Sequence, residues 1–188
     1  MRCDARHNEV MPRVSRPKLL RRRVVFKGRI IRVELDRVML ANGRAAALEI
    51  VRHRGSVVLI AQPAPDRIVL VRQYRYVIGK WIWELPAGSR ELGEAPATCA
   101  RRECEEEIGF RPARVRRLAS LFPSPGFCDE EMVFYHCTDL RTPRGTPKQD
   151  VDEQLEPRVF SLAEARSLVS RGAIIDMKTV VGLGLIGS

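Results

Sequence analysis

Strand-like and helix-like apolar spacings divide this chain. An apolar period of two marks strands, whose side chains alternate faces, and a period of three and four marks helices. Residues 24–27 and 30–40 are rich in β-branched side chains, Asn42-Gly43 is a two-residue hairpin turn, and 45–52 returns as the partner strand. The short apolar run 56–62 suits a buried strand, and 68–76 and 81–84 continue the pattern. Residues 113–122 and 132–138 read as strands around the Pro-rich loop 123–129, and 157–160 as a brief last strand.

Three stretches are helical. In the first, Ala97, Ala100, Cys104 and Ile108 form one apolar stripe. Pro96 suits its first turn, where a missing N–H has no partner to lose, and Gly109 suits its stop, where a left-handed residue is wanted. Ser161 and Glu164 form a capping box that opens the second, with Leu162, Ala165, Leu168 and Val169 inward and Gly172 as its end. Asp176 can cap a third from Met177, although Gly182 and Gly184 weaken it. The order predicts an α/β fold of mixed strands with a helix packed against them and another at the end. The expected organisation is a flexible basic tail over 1–23, a β-hairpin extension over 24–54, and one core domain over 55–188.

Composition narrows the class. With 188 residues, 45% of them apolar, the chain can bury one sizeable core. No apolar run has the length to span a bilayer, and the charged N-terminus lacks the apolar run of a secretory signal. The expectation is a cytoplasmic protein with no membrane partner. Five cysteines, an odd number without a C-x-x-C pair, read as free thiols in a reducing compartment. The net charge of +10 is uneven: residues 2–23 carry eight Lys or Arg against two acids, and the remainder 25 against 21. So the body is only mildly basic, and nucleic acid is not expected as a partner.

The opposite face of the first helix carries candidate chemistry. Glu103, Glu106 and Glu107 lie three and four apart, where like charges repel. Arg101 and Arg102 offset part of this, and Arg102 can reach Glu106 one turn on. Two readings fit the spacing: a solvated acidic face, or a seat for a hard divalent cation, which wants several carboxylate oxygens from one rigid element.

The letters around that face carry more. Gly88, Glu94, Arg102, Glu103, Glu106, Glu107 and Gly109 stand at the spacing of the Nudix box, with Cys104 and Phe110 as mild departures at aliphatic places. The stretch resembles that box at every fixed position. Gln73-Tyr74-Arg75-Tyr76, the run Trp83 to Gly88, Ser124-Pro125-Gly126-Phe127 and Lys178-Thr179 are similar to the ADP-ribose pyrophosphatase branch, as is Pro125 fifteen residues past Phe110. The resemblance implies an α/β/α sandwich around a mixed sheet. It implies an enzyme that hydrolyses the pyrophosphate of a nucleoside diphosphate derivative with Mg²⁺, or Mn²⁺, neutralising charge on the phosphate oxygens. ADP-ribose is the expected substrate; NADH, GDP-mannose or capped RNA, and a non-catalytic nucleotide-binding regulator, are the alternatives.

Site residues follow from the same resemblance. Glu103 and Glu107 are the expected metal ligands, with the Ala87 carbonyl; Glu106 is a third ligand or a catalytic acid. Glu94 is expected to hold the loop through Arg102. Arg52, Arg54 and Arg75 can meet phosphates, since guanidinium binds such oxygens in a fork. Trp83, among Tyr74, Tyr76 and Trp81, can face a base; Gly126 and Phe127 shape the pocket; Glu130 or Glu131 can touch a ribose. His53 and His136 read as structural. A separate general base is wanted, because a metal-bound carboxylate accepts protons poorly. The polar loop 140–156 offers acids, of which Glu153 is the first choice and Asp152 the second. The branch also implies a homodimer built through the hairpin extension.

Overall fold

In the computed structural model, residues 15–142 and 155–187 are described. Among them the chain runs β1 (Lys18–Lys27), β2 (Ile31–Met39), β3 (Ala45–His53), β4 (Ser56–Ala61), β5 (Arg67–Arg75), β6 (Lys80–Glu84), β7 (Ala87–Ser89), α1 (Pro96–Ile108), β8 (Arg111–Leu121), β9 (Met132–Arg141), β10 (Glu156–Ser161), α2 (Leu162–Ser170) and α3 (Met177–Leu185). Local chemistry sets several boundaries. Pro96 opens α1, and Gly109 closes it in the left-handed conformation at φ 69°. Both halves of the Ser161–Glu164 capping box form, and Asp176 caps α3 through the Thr179 amide.

Every residue of β4 is buried, and the layers build outward from its two faces. Val57, Leu59 and Ala61 face one side, where Cys99, Ala100, Cys104 and Ile108 of α1 cover them. Val58 and Ile60 face the other, against Phe160, Ala165 of α2 and Leu183 of α3. Full burial of one such aliphatic side chain contributes about 1.5–3 kcal/mol. The result is an α/β/α sandwich. A mixed four-stranded sheet of order β7-β4-β9-β8, with β4 and β9 parallel, is joined by an antiparallel sheet β10-β5-β6.

The third sheet, β1-β2-β3, is an antiparallel meander. It corrects the expected boundary at residue 23. Residues 18–23 belong to β1, so the extension has three strands and not the two of a hairpin. The reason is electrostatic: Arg22 donates to both oxygens of Asp36 at 2.8 and 2.7 Å and pairs with Glu34, carboxylates that β2 buries. The far edge of this sheet reaches the core. The Val51 amide donates to the Phe127 carbonyl at 2.7 Å, and the Asp129 amide returns to the Val51 carbonyl at 3.1 Å. No helix among the described residues is long and apolar enough to cross a membrane.

Candidate active site

The acidic face of α1 is built against β7. Glu103 and Glu107, one turn apart, are both buried, while Glu106 on the same face is partly exposed. The Ala87 amide donates to Glu107 Oε2 at 3.0 Å. Gly88 comes next, and a Cβ there would fall on the Glu103 carboxylate. Glycine therefore leaves the Glu103 carboxylate its present place, which an added Cβ would force it to give up.

Arg102 organises the charges. Its Nε and Nη2 donate to the two oxygens of Glu94 at 3.0 and 2.9 Å. Its Nη1 lies 2.8 Å from Glu103 Oε1 and 2.7 Å from Glu106 Oε2. The hydrogen bond from Arg102 holds the Glu94 carboxyl down at about 2, and that same bond raises the guanidinium well above its ordinary value. Glu94 Oε2 also accepts from the Glu91 amide at 2.9 Å, closing the loop ahead of the helix. Burial pushes the neighbouring Cys99 thiol up to about 12, so it stays neutral beneath this network.

A cleft of about 250 Å³ lies over these groups, lined by Glu103, Glu106, Glu107 and Arg102 together with Arg29, Arg54 and Arg90. Arg90 donates twice to the Arg54 carbonyl, at 3.1 and 2.7 Å, and crosses over Gly55, which is left-handed at φ 83°. Arg29, Ile30 and Arg54 also line a second hollow. That hollow shares Arg52 and Asp129 with a third cavity of about 920 Å³, walled by Leu35, Leu48, Ile50, Phe122, Pro125 and Phe127. The three hollows thus have neighbouring walls, the first rich in acids and arginines and the third largely apolar.

The expected site residues are distributed unequally among these hollows, which have a more acidic and a more apolar end. Ala87, Gly88, Arg54 and the three glutamates sit at the acidic end, and Gly126 and Phe127 at the apolar end. Arg52 is at the middle, but its guanidinium is engaged by Glu34 at 2.8 Å and Asp129 at 3.0 Å. Three of the expected residues have other partners in this structure. Arg75 does not enter the cleft lining; it makes a fork to buried Glu84 at 2.7 and 2.6 Å. Trp83, partly buried, packs edge-on against Phe160 of the core, its centroid 4.9 Å away. Glu130 accepts from Ser56 Oγ at 2.8 Å, which anchors the loop to β4. Asp152 and Glu153 lie outside the described residues. Arg29 and Arg90 were not anticipated, since in sequence neither differs from the many other arginines.

Among the described residues, no three His, Cys, Asp or Glu side chains gather closely enough to hold a metal ion as they stand. The donor set nevertheless fits a hard divalent cation in kind: carboxylate oxygens of one rigid helix beside a peptide, at a glycine whose missing Cβ leaves room for one of them. Arg102 supplies positive charge at this face in the present arrangement.

Comparison with known proteins points the same way. The family model of the NUDIX domain matches residues 51–179. The chain is 36% identical over 173 residues to the methanol dehydrogenase activator of Bacillus methanolicus, covering 92% of this chain and 94% of that protein. It is 32% identical over 166 residues to the ADP-ribose pyrophosphatase of Bacillus subtilis (strain 168), covering 88% and 90%. A crystal structure of an ADP compounds hydrolase superposes with a TM-score of 0.79 at 22% identity, over 92% of this chain and 93% of that one.

Proposed function

Since this chain belongs to the NUDIX domain family and is a Nudix pyrophosphohydrolase, we propose that it hydrolyses ADP-ribose to AMP and ribose 5-phosphate. One P–O bond of the pyrophosphate breaks; the hydroxyl of water goes to one phosphorus and its remaining proton to the departing phosphate. The observation that carries the reading is the cleft over the acidic face of α1. Glu103 and Glu107 line it, Arg54 and Arg90 border them, and a largely apolar cavity lies nearby, walled in part by Phe127. Glu103 and Glu107, with Glu106 and the Ala87 carbonyl, would hold Mg²⁺ or Mn²⁺, which when bound neutralises charge on the phosphate oxygens. Arg54 offers a guanidinium for the diphosphate, Arg90 fixes the Arg54 backbone, and Phe127 offers an apolar face to the base. Glu153, or Asp152, takes the proton of the attacking water.

The β1-β2-β3 sheet supports a homodimer. All ten residues of β1 are exposed, and Leu19, Leu20, Val24, Val25 and Phe26 among them present an apolar surface beside the arginines.

The test is product identification after incubation with Mg²⁺ and ADP-ribose, NADH, GDP-mannose, capped RNA and other nucleoside diphosphate derivatives. AMP and ribose 5-phosphate from ADP-ribose, at the highest kcat/KM of the panel, is the expected result. Faster turnover of another member replaces the substrate while keeping the chemistry. A second reading, favoured by the relative named as an activator of another enzyme, is a regulatory role. Binding without turnover of any member would establish it in place of the first.

A further inference from the structure

The four residues that lead into Gly88 are each tied down, and two of the ties come from α3. Glu84, at the end of β6, is buried, takes the Arg75 fork and pairs with Lys178 Nζ. The Leu85 amide donates to Thr179 Oγ1 at 2.7 Å. The Pro86 carbonyl accepts from the Leu59 amide at 2.8 Å. The Ala87 amide donates to Glu107 at 3.0 Å.

The Thr179 hydroxyl is itself fixed. Thr179 is fully buried; its Oγ1 donates to Asp176 Oδ2 at 2.5 Å while accepting from Leu85. Asp176 Oδ2 also accepts from the Thr179 amide at 3.0 Å, and its Oδ1 lies 3.1 Å from Lys178 Nζ. A hydroxyl has one proton to give, so this donation sets its direction and leaves a lone pair toward Leu85. One turn later, Gly182 lets α3 approach closely, for a Cβ there would fall on the Leu85 side chain. The helix cap and the segment carrying Ala87 are thus one hydrogen-bonded unit, 94 residues apart in sequence.

We propose that Thr179 is a positioning residue for the Nudix reaction. Its hydroxyl sets the height of the 85–88 segment over β4, and so sets where the Ala87 peptide and Gly88 meet Glu107 and Glu103. It touches neither substrate nor cation. The inference rests on the function proposed above, in which those carboxylates hold the divalent cation. A small misplacement of a preorganised site lowers rate and cation affinity while leaving distant substrate contacts intact.

The test compares wild type, Thr179→Val and Thr179→Ser. Valine keeps the shape and removes both hydrogen bonds; serine restores the hydroxyl. Ile174→Val, a buried change in the same C-terminal region, controls for lost stability. Kinetics with ADP-ribose are joined by calorimetric titration of Mn²⁺ without substrate. For Thr179→Val we expect kcat at least tenfold lower, a Mn²⁺ dissociation constant at least threefold higher, and KM for ADP-ribose within twofold. Thr179→Ser and Ile174→Val should match wild type within twofold on all three. Thr179→Val with kcat and Mn²⁺ affinity unchanged within twofold overturns the proposal, and so does an equal loss in Ile174→Val. If Thr179→Val does not fold, Thr179→Ala decides by the same two readouts, since it too removes the hydroxyl. A wild type with neither turnover nor Mn²⁺ binding overturns the function and the positioning role together. A competent wild type beside an unaltered Thr179→Val overturns the positioning role alone.

Discussion

Replacing Glu94 by Gln tests whether the loop before α1 is held by charge. The side chain is 10% exposed and takes two bonds from Arg102 and one from the Glu91 amide. A carboxyl lowered from 4.5 to about 2 in the folded state contributes at most about 3.5 kcal/mol at neutral pH, at about 1.4 kcal/mol for each pKa unit. Arg102 is 27% exposed and keeps Glu103 and Glu106 as partners, so solvent and these neighbours reduce the loss to about 1–2 kcal/mol. For a chain of this size that is a fall in Tm of about 3–6 °C. The sign of the pH dependence follows from the lowered pKa. The contribution is fully present above 4.5 and is lost as pH falls toward 2. The Tm gap between wild type and Glu94→Gln should therefore be full at pH 7 and narrow steadily below pH 4.5, measured by calorimetry in one buffer series. Activity should show a second effect. Arg102, released from Glu94, pairs more strongly with Glu103 and Glu106, so half-saturation needs more Mg²⁺. A gap of equal size at pH 7 and pH 3.5, or no gap at pH 7, would refute the charge-based account.

Glu107→Gln keeps an acceptor for the Ala87 amide, so Tm should stay within about 3 °C while kcat falls by about a thousandfold; near-normal turnover in the folded variant rules out Glu107 as a ligand. Gly88→Ala should lower kcat about a hundredfold because the new Cβ displaces the Glu103 carboxylate, and calorimetry should find weaker Mn²⁺ binding. Val24→Asp with Phe26→Asp should give a monomer by light scattering at micromolar concentration, since both positions are exposed on β1; an unchanged dimer places the interface elsewhere. Glu153→Gln should reduce kcat with metal affinity unaltered and remove the acidic limb of the pH–rate profile; kcat retained within about threefold there and in Asp152→Asn excludes this loop as the source of the base.

Interactions within a few residues were legible in the chain itself. Pro96 and Gly109 bound α1, Ser161 and Glu164 cap α2, and Asp176 caps α3; the turn between β2 and β3 was also legible, although it closes over three residues, Ala41 to Gly43, and not the expected two, with Gly43 left-handed at φ 77°. Each signal acts through backbone groups one turn away or nearer, so spacing suffices to read it. The spacing of Glu103, Glu106 and Glu107 is local in the same sense, and it marked the face that lies in the cleft. Tertiary structure decided the rest, because it chooses partners that sequence distance hides. Lys18–Lys27 looked in part like a charged tail, yet β2 carries the buried acids that draw Arg22 into a strand. Arg52, Arg54, Arg75 and Arg90 are alike as letters. Packing gives Arg52 to Asp129 and Arg75 to Glu84, sets Arg54 on the wall of the cleft, and makes Arg90 the brace behind it. Packing set Trp83 edge-on against Phe160, and it joined Thr179 to Leu85 across the molecule. A fork or a hydroxyl is satisfied by whichever complementary group the sheet register and helix packing bring within about 3 Å, and no rule of spacing along the chain encodes that meeting.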